Sequence, residues 1–539
     1  MSKVRESLVP VLLLSLLLFV VPAAAAEGSN PASDTAIIPA APAPLLNQAL
    51  ALYKSGRYVE AQQQIRGDID AAEHGATTAS LPELYNLLGL TLEGQGKQVA
   101  AEAAYNHGIE LREKADGPKS GTLVPMLDNL ALLNRSQKKY AASELLYRRA
   151  LDIRRDVFGT NSFQAAESLN NLALLFQAQN DYAKAASTLE EAITITRALG
   201  APATPQVATL MTNLAEVRGA QQRYPDAEKL YKEAIQVCAD DPLGRSQSIT
   251  STGRLAGFYR DQGRFEEAEP LLVTIVATLD AITPLPQLEL ITALNNLGLL
   301  YREQGSYDKA RQPYERVLAL RQAPGGGTVE QLAAALTNLG NNERDAGNNA
   351  ASEEFYKKAL ATLGASAPPD VVADTLTEVQ ELYRQQGKYA DAEAQLKKAF
   401  GLLDAAGLGT SAVAAKTLND LAVLYQEQGK LKESEATFRQ VLDILQALHG
   451  SDSIEVALSE NDLARVLTME KKYTESAELY KRSLATRKRL LRPSDPLIAA
   501  TMRNYASVLK ELKRDSEADT LNKDAERIET EIQTSENKN

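Results

Sequence analysis

The feature that most constrains this chain is a small residue that returns about every 42 positions. Counted from Gly298, the slot holds Ala49, Gly89, Ala131, Ala173, Ala215, Ala256, Gly298, Gly340, Gln380, Ala422, Ala464 and Ala506, and it is Gly or Ala in eleven of twelve cases. Twelve residues further on stand Ala61, Ala101, Ser143, Ala185, Ala227, Ala268, Ala310, Ser352, Ala392, Ser434, Ser476 and Ala518, all Ala or Ser. Helices approach closely only where neither carries a bulky side chain at the crossing. Two small slots in every period therefore describe a tightly packed helix pair, and a period of this length describes a stack of such pairs.

Larger residues recur in the same register. An aromatic follows the hinge in Tyr58, Tyr140, Tyr182, Tyr224, Phe265, Tyr307, Tyr389 and Tyr473, and a second aromatic slot holds Tyr105, Tyr147, Tyr231, Tyr314, Tyr356, Phe438 and Tyr480. Apolar residues such as Leu294, Leu297, Leu300 and Tyr301 follow helical spacing. Gly56, Gly96, Gly263, Gly305, Gly347, Gly387 and Gly429 sit where the first helix of a pair must end. No unit can bury its own apolar faces, so stacking must stabilise the chain.

This pattern resembles the tetratricopeptide repeat. Its 42-residue spacing and its Asn-Asn-Leu-Ala/Gly start are similar to the long repeat of kinesin light chains and many bacterial proteins. The resemblance implies an all-α fold, a right-handed superhelical solenoid of stacked antiparallel helix pairs. Twelve repeats are expected near 42–75, 82–115, 124–157, 166–199, 208–241, 249–282, 291–324, 333–366, 373–406, 415–448, 457–490 and 499–532. The first and last match the pattern worst, as units with one face to water should. The polar stretch from Lys523 onward is expected to fray, with 533–539 a disordered tail.

The front end has a different character. Lys3 and Arg5 precede the apolar run Leu8 to Val21, and Ala24-Ala25-Ala26 offers a cleavage site before Glu27. Residues 1–26 are therefore expected to be a signal peptide, or an N-terminal anchor if uncleaved, since about 20 apolar residues span a bilayer. Residues 27–41, rich in Ala and Pro, read as a linker. The chain is expected to be exported, periplasmic or extracellular, and to meet a membrane only through that N-terminal segment.

Charge and chemistry narrow the function. A net charge of −12 argues against a general nucleic-acid binder. Cys238 is the single cysteine, which excludes an intramolecular disulfide and a cysteine zinc site. His74, His107 and His449 fall in unrelated units, and Gly94-Gln95-Gly96-Lys97 lacks the spacing of a phosphate loop. No catalytic constellation, metal site or cofactor is expected.

Two rows are candidates for contacting a partner. Two residues before the small slot stand Asn47, Asn129, Asn171, Asn213, Asn296, Asn338 and Asn504, with Asn295 beside Asn296. A primary amide donates and accepts at once, which suits the main chain of an extended peptide and equally suits a bond to the neighbouring helix. The resemblance implies the first role, an Asn ladder lining a concave groove. Four residues after the small slot, Arg260, Arg302, Arg344 and Arg384 occupy successive units. An Arg row could hold carboxylates of an acidic partner, or pair with neighbouring Glu and Asp. The expected function is a non-enzymatic scaffold that binds a protein or peptide partner, with a membrane-tethered assembly or regulatory factor of an envelope complex as the alternative.

Overall fold

The computed structural model describes residues 46–75, 81–199, 205–238 and 244–536. The expected signal segment and linker lie outside these residues. Among the described residues there are 24 α-helices and no strand. They pair in sequence order, from Leu46–Lys54 with Tyr58–His74 to Pro496–Glu511 with Asp515–Glu536. The helices fall into two compact units, residues 27–300 and residues 301–539.

The two small slots meet as their chemistry requires. A Cβ built on Gly89 would lie 2.4 Å from the ring of Tyr105, and one on Gly340 would lie 2.6 Å from that of Tyr356. Where the second slot holds Ser, it does more than keep the crossing narrow. The hydroxyls of Ser143, Ser352, Ser434 and Ser476 donate to the carbonyls of Ala131, Gly340, Ala422 and Ala464 at 2.7, 2.8, 2.8 and 2.7 Å. Each bond spans the pair at its tightest point, so a buried hydroxyl is satisfied without widening the crossing. Tyr105, Tyr356, Phe438 and Tyr480 are buried in the second aromatic slot and fill the space beside it.

The hinge needs one left-handed residue. At Gly305, with φ of 76°, the following Ser306 N–H returns to Tyr301 O at 2.7 Å and closes the first helix. In the units that lack Gly, Lys138, Asn180, Gln222, Lys471 and Lys513 adopt the same conformation, with φ between 59° and 62°. The repeat geometry overrides the usual preference for Gly, at a cost of about 1 kcal/mol for each such residue. The polar C-terminal stretch departs from expectation. Helix Asp515–Glu536 continues well past Lys523, because Ala525 and Ile528 keep the apolar spacing and are buried.

Candidate functional site

The Asn row takes two forms. In residues 46–300 it is largely a set of rungs between successive first helices. The Asn129 amide donates to Asn86 Oδ1 at 3.0 Å, and that of Asn213 donates to Asn170 Oδ1 at 2.7 Å, each reaching back 43 residues. The same register brings the half-buried Asn171 to the Asp128 carboxylate. Asn129 and Asn213 are buried, so their amides serve stacking rather than an open groove. Asp128 is also buried and forms an ion pair with Arg154 Nη1 at 3.0 Å. Burial pushes its carboxyl up to about 6 even though Arg154 opposes the shift. Asn296 is exposed, and Asn295 is half-buried with its Oδ1 unbonded.

The Arg row is already neutralised. Arg260 pairs with the adjacent Asp261 at 2.9 Å. In residues 301–539, Arg302 Nε lies 3.2 Å from Asp345, which Arg344 Nε meets at 3.1 Å. Arg344 Nη1 continues to Glu378 at 2.8 Å, and Arg384 joins Glu381 and Glu427 at 2.7 Å each. The pairs Arg302–Asp345, Arg344–Glu378 and Arg384–Glu427 connect one repeat to the next, and the Arg344 side chain is only 9% exposed. Of the two roles open to Arg302, Arg344 and Arg384 from sequence, these contacts are the second, pairing with neighbouring Glu and Asp. A carboxylate one repeat away is close enough for each guanidinium to pair internally, and desolvation favours that pairing.

The open part of the second unit lies further along. Helices Ala412–Glu427, Leu431–His449, Ile454–Met469, Tyr473–Leu490 and Pro496–Glu511 enclose a cleft, and Asn419, Asn461 and Asn504 line it. Asn461 and Asn504 hold the same two slots as the bonded pairs Asn86/Asn129 and Asn170/Asn213. Here the rung is open, because Asn461 Oδ1 is buried and has no hydrogen-bond partner. Asp462 and Arg465 stand in the cleft 3.6 Å apart, and burial raises the Asp462 carboxyl. Asn338, in the same unit, is half-buried and is not among the cleft residues. Sequence reasoning singled out Asn504 but missed Asn419, Asn461 and Arg487. Their signal was present as position: Asn86 and Asn170 are paired in the slot of Asn419 and Asn461, as are Arg112 and Arg154 in the slot of Arg487.

Models of the family described as "Tetratricopeptide repeat" match residues 82–114, 123–198, 206–279, 246–323, 289–365, 371–447, 413–489 and 453–531. The chain belongs to the tetratricopeptide repeat family. Its repeats are those of protein-interaction scaffolds. Similar solved structures include a tetratricopeptide repeat protein from Parabacteroides merdae, 20% identical, which covers 55% of this chain and 100% of its own with a TM-score of 0.36. Kinesin light chain TPR-like repeats from Podosopora anserina are 18% identical, covering 38% of this chain and 98% of theirs with a TM-score of 0.34. The apo quorum sensor NprR from B. thuringiensis is 17% identical, covering 66% and 96% with a TM-score of 0.40. No curated protein matches the chain. Among the described residues of this tetratricopeptide repeat protein, no helix is long and apolar enough to cross a membrane.

Proposed function

We propose that this tetratricopeptide repeat protein is an exported scaffold that holds an extended peptide segment, without turnover, along the first helices between Ala412 and Glu511. The observation that carries this reading is the open rung at Asn461 and Asn504. At Asn86/Asn129 and Asn170/Asn213 the two slots bond each other; here one buried acceptor is unused and lies in a cleft. An unbonded buried amide oxygen is costly, and a peptide N–H would satisfy it. Binding of a fluorescent peptide library to the purified chain tests this. Selected peptides should lose about thirtyfold affinity to Asn461→Ala with Asn504→Ala, from two hydrogen bonds of about 1 kcal/mol each. Peptides that bind the double variant as tightly as the parent chain would sink the proposal.

Export rests on Lys3, Arg5, Leu8 to Val21 and Ala24-Ala25-Ala26. Mass analysis of the chain recovered from its native compartment should find Glu27 at the N-terminus. A chain that retains residues 1–26 would instead support the membrane-tethered alternative.

A further inference from the structure

Residues 481–492 hold six cations and no acidic residue, in a chain whose net charge is −12. They form the second half of helix Tyr473–Leu490 and the turn after it. Lys481 and Lys488 are seven residues apart, as are Arg482 and Arg489, so all four share one side of the helix. These four and Arg492 are exposed. A helix C-terminus attracts cations, but it carries only about half an elementary negative charge. Arg487, Lys488 and Arg489 all stand in this last turn and exceed it. Internal pairing does not use up the excess. Arg482 meets Glu460 at 2.7 Å and Arg489 meets Asp452 at 3.0 Å. Among the described residues, neither Lys488 nor Arg487 has a carboxylate at ion-pair distance.

Arg487 stands eleven residues after the small slot Ser476, as Arg112 follows Ala101 and Arg154 follows Ser143. Arg154 pairs with Asp128, 26 residues before it, and with Glu167, 13 residues after it. The corresponding residues for Arg487 are Asn461 and Ala500. Its guanidinium is buried and bonds neutral atoms, Thr501 Oγ1 at 2.7 Å, Leu497 O at 3.2 Å and Ala457 O at 3.5 Å. An uncompensated positive charge therefore lies on the buried side of the same helix turn.

Two exposed leucines accompany the cations. Leu448 and Leu490 lie at the ends of helices Leu431–His449 and Tyr473–Leu490 and are 45% and 42% exposed. They are 42 residues apart, one repeat, so they hold the same place on one edge of successive units. Asp452, the partner of Arg489, comes from the loop after helix Leu431–His449 and ties the two helix ends together. A soluble polyanion gains nothing from such leucines. A lipid interface takes cations at its headgroups and apolar side chains just beneath them.

We propose that this edge docks on an anionic lipid surface, with Lys488, Arg489 and Arg492 at the headgroup phosphates and Leu448 and Leu490 in the interfacial layer. The net charge of −12 repels such a surface elsewhere on the chain, which confines the contact to this edge. The contact is separate from the N-terminal apolar segment and independent of the peptide reading above.

Sedimentation of the full chain with vesicles tests this. Phosphatidylcholine vesicles with and without phosphatidylglycerol would be compared, with heparin as a soluble polyanion. The apolar run Leu8 to Val21 should bind both vesicle types alike, so the readout is the preference for the anionic ones. That preference should be clear at low salt and fall as salt screens it. Lys488→Gln with Arg492→Gln should reduce it about thirtyfold, at about fivefold for each cation removed. Leu448→Ser with Leu490→Ser should weaken binding to anionic vesicles about tenfold and leave heparin binding unchanged. All four side chains are exposed, so both variants should melt with the parent chain. Equal binding to both vesicle types, or a preference that the Lys488/Arg492 variant keeps, overturns the proposal. Heparin bound as tightly as anionic vesicles, with no effect of the leucine changes on either, assigns the edge to a soluble polyanion and likewise overturns it.

Discussion

Replacing Tyr356 with alanine is expected to cost about 3–5 kcal/mol, the range for truncating a buried aromatic. The ring has no exposed surface, and it packs where Gly340 leaves a gap that a Cβ would close to 2.6 Å. Backbone collapse into the vacated space is resisted by the bond from Ser352 Oγ to Gly340 O at 2.8 Å, which holds the two helices at their crossing. The hydroxyl matters as well. It donates to Asn341 Oδ1 at 2.5 Å and accepts from Arg344 Nη1 at 3.3 Å, so truncation also disturbs the Arg344 pairing with Asp345 and Glu378. Because a repeat array is coupled through nearest neighbours, the loss should appear first in helices Val329–Asp345 and Asn349–Leu363. Hydrogen exchange would show protection falling there before it falls in helices Tyr473–Leu490 and Pro496–Glu511. Tyr356→Phe isolates the polar part and should cost about 1 kcal/mol. A urea midpoint for Tyr356→Ala equal to that of the parent would refute the packing argument.

Arg154→Ala should be comparably severe, about 3–5 kcal/mol at neutral pH, because it strands Asp128 as a buried charge without its partner. Asp128 and Arg154 side chains are only 3% and 7% exposed. The pH dependence identifies the cause. Burial already pushes Asp128 from 3.8 up to about 6 in the folded chain. Between those values the folded state keeps a proton that the unfolded state has released. This group therefore lowers stability as pH rises from about 4 to about 6. Removing Arg154 takes away the charge that opposes the shift, so the folded value climbs further and the window extends upward. The deficit of Arg154→Ala relative to the parent should widen from pH 5 to pH 8, measured as urea midpoints. Adding Asp128→Asn should recover much of the loss at pH 8 and little at pH 5. A deficit that does not change with pH would show that Arg154 acts through packing alone.

The same pair illustrates how far the repeats differ beneath a common pattern. Arg112, Arg154 and Arg487 share one slot, yet each is balanced differently: Glu83 and Asp116 for the first, Asp128 and Glu167 for the second, and no carboxylate at ion-pair distance for the third. A family resemblance treats such positions as equivalent. For Arg154 and Arg487 the chemistry is decided by the residues 26 before and 13 after, which only packing between helices brings into contact.

The helix pairs were legible in the linear chain, because small slots such as Gly340 and Ser352, aromatic slots such as Tyr356 and hinges such as Gly305 follow from local spacing. Their period survives reading one residue at a time, since helix ends and close crossings restrict residue type wherever they occur. What the partner-facing rows do was not legible. Asn129 and Asn213 are rungs, Arg302, Arg344 and Arg384 are ion pairs, and Asn461 and Asn504 are left open. An amide or guanidinium has the same valence whether its partner is a neighbouring repeat or a ligand. Only the tertiary structure, by placing or withholding a second polar group about 3 Å away, decides which.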